Sequence, residues 1–512
     1  MSRRLLHVLV PGLALVAAVV VAYSPALDGG FIWDDADNIV TNENMTSPGG
    51  LARIWTDPRA SIQYYPLTHT SFWLNYRASG LRPFSYHLVN VLLHAGSALL
   101  LWQSLAFLGV PGSWLAAAVF ALHPANVESV AWITERKNTL SCFLMMISAC
   151  LFLRAALEEE PAGSARRTRR YALSLLFFLA ALLGKTAVAL MPLGLAAILW
   201  WKKGAVGARD LLALAPFAAL GGGFGLLTAR LESGHLGASG QEFAWSVGER
   251  ILIAGRSFWF YLWSLVWPAD LVFIPTRWEI TGSLPAWLFP MGAVAAAAGL
   301  WVLRGRIGRG PLAALGWFTA MVFPALGFFN VYFMRFAFVQ QHFQYFASMG
   351  IVSLFAGASA ALACRMQGTM GKTAGGARTV RAGAAALGAA VLMTLGGLTW
   401  RQSGLYANGE TLWRDTLGRN PGAWIAHNNL AIILWQQGRN GEALEHFREY
   451  YRLHPDADAA HNLGRALRLT GRAEEAAGYL RIAVDLDPRR MESRIELSKA
   501  LDQVQRPLRP RE

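Results

Sequence analysis

Phe31-Ile32-Trp33-Asp34-Asp35-Ala36-Asp37-Asn38-Ile39-Val40-Thr41-Asn42-Glu43-Asn44 is the stretch around which the rest of the chain arranges itself. Three aspartates fall within four residues, between a tryptophan and an asparagine. The stretch follows an apolar run from Leu5 to Tyr23 and precedes many more such runs, so it reads as a loop at a membrane surface. Carboxylates there carry a desolvation cost unless their charge is used or paired. Any one of them alone reads as a cap on a surface helix; three beside Trp33 point to chemistry.

The surrounding composition sets the class. Of 512 residues 54% are hydrophobic and only 15% charged, whereas a soluble chain carries about a quarter charged residues. Apolar runs of bilayer length recur along the chain. The net charge of +14 does not indicate nucleic acid. The cations concentrate at Arg3-Arg4 and in 154–170, 202–209, 304–309 and 365–381, which are short loops between apolar runs. That is the positive-inside pattern of a cytoplasmic face. The region 403–512 is nearly balanced in charge. Cys142, Cys150 and Cys364 have no spacing that suggests a disulfide or a zinc site.

The chain therefore reads as an all-α protein: a polytopic membrane helix bundle, 1–402, followed by a helical-repeat domain, 403–512. The run Leu5–Tyr23 reads as an uncleaved first helix with its N-terminus inside. Further spans read as 84–108, 113–133, 139–157, 171–185, 187–201, 211–229, 286–303, 311–328, 345–364 and 382–400, eleven crossings in all. Residues 251–267 are apolar and aromatic but interrupted by Arg256 and preceded by Arg250. A crossing there would put both later basic loops outside, so the segment reads as interfacial or re-entrant. On this count the loop 24–83 and the C-terminal domain both face away from the cytoplasm.

The C-terminal domain repeats. Leu430-Ala431, Leu434, Gly438, Ala443, Phe447 and Pro455 recur 33 residues later as Leu463-Gly464, Leu467, Gly471, Ala476, Leu480 and Pro488. Leu497-Ser498 and Leu501 begin a third copy, and Trp413 with Pro421 ends a preceding one. The period and pattern are those of tetratricopeptide repeats, stacked helix pairs that form an α-solenoid.

Several ionisable residues join the acidic stretch. Transfer of a sugar to a hydroxyl needs a base for the hydroxyl proton and cations for a departing phosphate. Asp34 or Asp35 suits the first task. A second carboxylate raises its neighbour's pKa or helps to hold a divalent metal, which the sequence does not require. Pro124 ends or bends the third span; His123 before it is a candidate contact to the donor phosphate or sugar, and Glu128 lies just beyond, an acid on the same side as Asp34. Arg136 and Lys137 lie outside against the charge trend, as expected where an anionic ligand such as a lipid phosphate binds; snorkelling cations are the alternative. Lys185 follows Gly184 but lacks the earlier glycine of a nucleotide-binding loop, leaving a phosphate contact or snorkelling. Arg335 and His342 lie in the loop before the late span with Gln341, Gln344 and Tyr345, where phosphate or sugar hydroxyls would bind. His87, Asn90 and His94 share one helix face and read as interhelical hydrogen-bonding groups rather than metal ligands.

Taken together these motifs resemble a known family. Trp33-Asp34-Asp35 with Asn42, Tyr65-Pro66-Leu67-Thr68, His87 to His94, Phe120 through Val130 and Glu135-Arg136-Lys137-Asn138 carry the likeness, with the terminal repeats. The chain is similar to the transmembrane-and-tetratricopeptide-repeat O-mannosyltransferases, as a bacterial relative. The resemblance implies a GT-C glycosyltransferase fold and a polyprenyl-phosphate sugar donor. It places catalysis on Asp34 or Asp35, with Glu128 in the second outer loop. In the animal members the donor is dolichyl-phosphate mannose and the acceptor a Ser or Thr of a secretory-pathway protein. A bacterial relative is expected to use an undecaprenyl-linked sugar outside the cytoplasmic membrane, on an acceptor protein or envelope glycan held by the repeat groove. Relatives often carry an Asp before the late-span Tyr; here Gln341 replaces it. Two other classes compete: a membrane-anchored repeat scaffold, which has no use for an acidic cluster facing cations, and a transporter, which would place ionisable groups near mid-membrane.

Overall fold

The computed structural model describes residues 3–161, 163–235, 240–370 and 374–505. The described residues are helical, with loops and no strand. The chain divides into two compact units. Residues up to Leu271 together with Trp278–Ala407 form the first; Val272–Arg277 and the chain from Asn408 form the second. The boundary thus falls within a few residues of 403, but a hexapeptide from the middle of the chain joins the repeats. Residues 506–512 and Lys372 of the basic loop 365–381 lie outside the described residues.

In the first unit the Arg136–Leu157 helix is central. It packs on Pro83–Phe107 and on Ala165–Gly184. Ser148 and Ser174 tie the latter pair, each hydroxyl donating to the other's carbonyl at 2.7 and 2.8 Å. Such exchanges satisfy polar groups where no water is at hand. A Cβ on Gly184 would stand 2.5 Å from Ser141 Oγ, so the helix end that precedes Lys185 can approach only because it is glycine. The Leu284–Ile307 helix buries no residue, which suits a helix whose surroundings are lipid.

Six helices are long and apolar enough to cross a membrane among the described residues: Pro83–Phe107, Ile133–Leu157, Ala208–Leu231, Leu284–Ile307, Gln341–Thr369 and Gly376–Gly404. The expectation of eleven spans is corrected accordingly. The apolar run 113–133 is no continuous helix: Ser113–Ala121 stops after nine residues, Pro124 opens a 3-10 turn, and Val127–Ala131 forms one short helical turn. The run 187–201 starts with a 3-10 segment, Thr186–Leu190, before the 13-residue helix Met191–Lys203. The apolar 171–185 belongs to a helix whose first turns carry Arg166, Arg167, Arg169 and Arg170. Gly310–Val322 is 13 residues, too short to span alone. Residues 251–266 lie in the Val247–Val266 helix, opened by a Ser246–Glu249 capping box and ended at Trp267. Its Arg250 bonds the Gly327 carbonyl at 2.9 Å and Asn330 Oδ1 at 2.9 Å.

The second unit carries the repeats. Trp424–Gln436 pairs with Asn440–Leu453, and Ala457–Leu469 with Ala473–Leu486; Gly409–Arg419 precedes them and Met491–Gln505 follows. A Cβ on Gly464 would meet Leu480 Cγ at 2.7 Å, which explains the small residue at this repeat position. Phe273 of the inserted hexapeptide is buried edge-on against Trp413 at 5.4 Å, and Asn420 Nδ2 donates to the Ile274 carbonyl at 3.1 Å. Gly464→Leu is expected to destabilise the pair by about 1–3 kcal/mol through overpacking, seen as faster hydrogen exchange across 457–486. Unchanged exchange there would mean that the contact is not tight.

Candidate active site

The aspartate stretch folds into a turn that separates its two leading acids. Trp33 has φ 45°, the single non-glycine residue in the left-handed region among the described residues. Such strain persists only where surroundings hold it, and it concentrates at working sites. Here the Trp33 ring stacks on Trp132, centroids 5.4 Å apart at 9°. A five-residue π-helical turn, Ala36–Val40, follows at once; such turns also cluster at functional positions. The asparagines brace the turn: Asn38 Nδ2 donates to the Asp34 carbonyl at 2.8 Å, and Asn42 caps the next helical turn.

Asp35 is fully buried and fully used. Its Oδ2 accepts the Ile32 amide at 2.8 Å, and its Oδ1 accepts both the Thr134 amide, at 2.8 Å, and the Thr134 hydroxyl. The carboxylate staples the turn to the segment before the Arg136–Leu157 helix. Burial pushes its carboxyl up to about 7, against the pull of the Ile32 and Thr134 hydrogen bonds. All three of these hydrogen bonds tie Asp35 to the protein itself.

Asp34 is the opposite case. It is half-buried, and its carboxylate accepts no hydrogen bond from the described residues. Burial pushes it up to about 6; the nearby Lys137 charge lowers it, and Glu135 and Asp37 raise it. Asp37 is exposed.

Lys137 and Lys185 converge on one acid. Glu135, fully buried, has Oε1 2.9 Å from Lys137 Nζ and Oε2 3.3 Å from Lys185 Nζ. Lys137 also reaches Gln63 Oε1 at 3.4 Å and lies 5.8 Å from the Trp132 ring centre. Two cations held by one carboxylate leave a net positive charge beside Asp34. Glu135 stood inside the quoted motif but had no assigned role; its place next to Arg136-Lys137 was the available signal. The Trp33–Trp132 stack carried no signal, because the partners lie 99 residues apart.

Glu128 and His342 meet: Oε1 and Nδ1 are 2.6 Å apart, both side chains buried. Asn138 Nδ2 bridges to the His342 carbonyl and to Ser129 Oγ, each at 3.0 Å. The structure thus brings Asp34, Lys137, Lys185, Glu128 and His342 into one charged neighbourhood. Gln341, where an acid was expected, donates to Ser264 Oγ at 3.4 Å.

Three other expected ligands have different tasks. Arg136 is fully buried. Its Nε donates to Asn90 Oδ1 at 2.9 Å, Nη1 to Asn75 Oδ1 at 2.9 Å and Nη2 to the Tyr86 carbonyl at 2.7 Å, with Phe72 across its face at 4.9 Å. A guanidinium so satisfied locks three helices and has no fork left for a phosphate. His123 spends both ring nitrogens, on the Leu265 carbonyl at 3.0 Å and the Ala125 amide at 3.2 Å. The hydrogen bonds of both side chains thus go to the protein itself. Arg335 pairs with Glu242 at 3.7 Å and lies over Tyr332 and Phe336; Phe336 in turn is 6.3 Å from Trp33. His94 bridges helices, with Nδ1 2.8 Å from Tyr345 Oη and Nε2 3.0 Å from the Ala121 carbonyl. Among the described residues no group of three or more His, Cys, Asp or Glu is arranged to hold a metal.

Comparison with known proteins agrees in kind with this geometry. The tetratricopeptide repeat family model matches residues 397–458 and 442–490. Protein O-mannosyl-transferase Tmtc1 of Drosophila melanogaster is 36% identical over 173 residues, 31% of this chain and 20% of that protein. Human protein O-mannosyl-transferase TMTC1 is 25% identical over an alignment covering 90% of this chain and 57% of that protein. Human TMTC4 is 28% identical over 34% of this chain and 27% of that protein. The chain thus spans at most a little over half the length of these relatives. It is a distant homologue of TMTC protein O-mannosyl-transferases that carries tetratricopeptide repeats of its own.

Proposed function

We propose that the chain is an integral-membrane glycosyltransferase of GT-C type. It moves a sugar, mannose or another hexose, from a polyprenyl-phosphate donor to a hydroxyl of an extracytoplasmic acceptor, a Ser or Thr of a protein. The observation that carries this reading is a half-buried Asp34 that feels the charge of Lys137, a cation that shares Glu135 with Lys185. In this reading Asp34 takes the acceptor hydroxyl proton as its oxygen bonds to the anomeric carbon. The bond from that carbon to the donor phosphate breaks, and Lys137 and Lys185 hold the charge left on the phosphate. The Trp33 indole, backed by the stacked and buried Trp132, offers a flat apolar face for a sugar ring. Glu128 fixes His342 and so the loop before the late span, with Arg335 at its margin.

The reading places the chain in a bacterial cytoplasmic membrane. Its N-terminus is inside, and the Asp34 loop and the repeats are outside, where the repeats hold an acceptor. The apolar helices support a multi-pass membrane protein, and the positive loops between apolar runs support the sidedness. Thiol labelling at positions 37 and 440 tests the sidedness, and labelling of the two from opposite faces would overturn it.

The pH dependence is a sharper test. Asp34 acts only when ionised, and burial raises it from 3.8 to about 6. Transfer should therefore fall as pH drops through about 6. Because the Lys137 charge lowers this value, Lys137→Gln should move that limb to higher pH. A profile of kcat/KM with its acid limb near 4, unmoved by Lys137→Gln, would remove Asp34 as the base.

A further inference from the structure

A cavity of about 390 Å³ lies at the far ends of the helices that build the acidic site. It is lined by one face of the stretch 101–111, by Met146, Ala149 and Leu153, and by parts of the Met191–Lys203, Gly310–Val322 and Tyr345–Met370 helices. On the central helix, Lys137 and Leu153 are separated by roughly 24 Å at 1.5 Å per residue. The cavity is thus remote from Asp34. Its walls are almost wholly apolar, and Arg309 is the one charged residue among them.

One end of the cavity is marked as a membrane interface with positive charge. Arg309 lies 5.5 Å from the Trp200 ring centre, Lys202 lies 5.1 Å from that of Trp201, and Arg304 lies 4.0 Å from that of Trp301. Indoles and cations at this density form the belt seen at headgroup level. Lys202 Nζ also donates to the carbonyl of Leu108, a wall residue, at 2.9 Å. Among the described residues no acid lines the cavity, and Asp210 is taken up by Lys203 at 2.7 Å. Arg309 opens the 13-residue Gly310–Val322 helix, whose N-terminus adds positive potential. In the wall, Ser104 is buried and its hydroxyl has no hydrogen-bond partner among the described residues.

We propose that this cavity is a binding site for an anionic phospholipid, with an acyl chain inside and the headgroup phosphate at Arg309 and Lys202. An apolar slot ending in cations matches an amphiphile of that charge, and basic pockets between membrane helices bind such headgroups. The site is distinct from the proposed donor site: a headgroup here is at the opposite ends of the shared helices and cannot present a sugar to Asp34.

The test is native mass spectrometry of the full chain in mild detergent, titrated separately with phosphatidylglycerol, phosphatidylcholine and decaprenyl phosphate. The wild type should retain one phosphatidylglycerol with roughly thirtyfold preference over phosphatidylcholine, the scale expected for two cations. Arg309→Gln with Lys202→Gln should abolish the preference while still binding either lipid weakly. Ser353→Phe, which fills the slot, should remove retention of both. Equal retention of the two phospholipids by wild type, or preference surviving the paired charge variant, would overturn the proposal. So would stronger retention of decaprenyl phosphate than of phosphatidylglycerol. The charge variant alters only partly exposed side chains, so the test holds even where Ser353→Phe fails to fold.

Discussion

Asp34→Asn should lower sugar transfer by at least about a thousandfold, with the protein still folded. The amide keeps the size and the half-buried position but cannot take a proton. Loss of a positioned base alone costs roughly 10²–10⁴-fold. The lost charge also removes a negative partner that Lys137 feels, which adds to the effect. Asp35→Asn should behave differently. An amide keeps one carbonyl oxygen and turns the other position into a donor facing the Ile32 amide or the Thr134 amide and hydroxyl. One clash of donors in a buried site costs about 1–3 kcal/mol. The Asp35 variant should therefore lose thermal stability and activity together. Steady-state transfer assays beside thermal unfolding of both variants separate the cases. If Asp35→Asn loses activity with its melting point unchanged while Asp34→Asn stays active, the roles are reversed.

The second large effect is expected at Arg136. Arg136→Met should destabilise the first unit by roughly 3 kcal/mol or more, because Asn90 Oδ1, Asn75 Oδ1 and the Tyr86 carbonyl lose their donors inside the protein. Arg136→Lys should rescue little, since an ammonium lacks the planar fork that reaches three acceptors at once. A phosphate ligand would behave otherwise: its loss would raise KM at unchanged stability, and lysine would substitute in part. Melting temperatures of the purified variants, read beside KM for the donor, decide between the two. Lys137 makes a useful contrast, because its Nζ retains some exposure and its partner Glu135 keeps Lys185.

The contrast between adjacent residues shows what the chain order could convey. Asp34 and Asp35 are identical in type and neighbours in sequence, so composition and spacing assign them equally. Their difference comes from Thr134, 99 residues away, which claims one carboxylate and not the other. The same holds for Arg136 and Lys137. Both looked like misplaced cations next to one acid, yet the helix that starts at Arg136 turns the first inward and leaves the second at the rim. Glu135 was legible as part of a motif, but its task became visible only when Lys185 arrived from the end of another helix.

By itself the sequence determined the helical class, the membrane character and the repeat architecture. These rest on short-range patterns: apolar runs, a 33-residue period, and charges clustered within a few positions. Tertiary structure alone decided how many apolar runs are continuous helices, because a run broken at Pro124 and one unbroken have similar hydropathy. It also decided which ionisable groups are spent and which are free. That depends on hydrogen-bond partners brought from distant segments, and on burial, which no local pattern encodes.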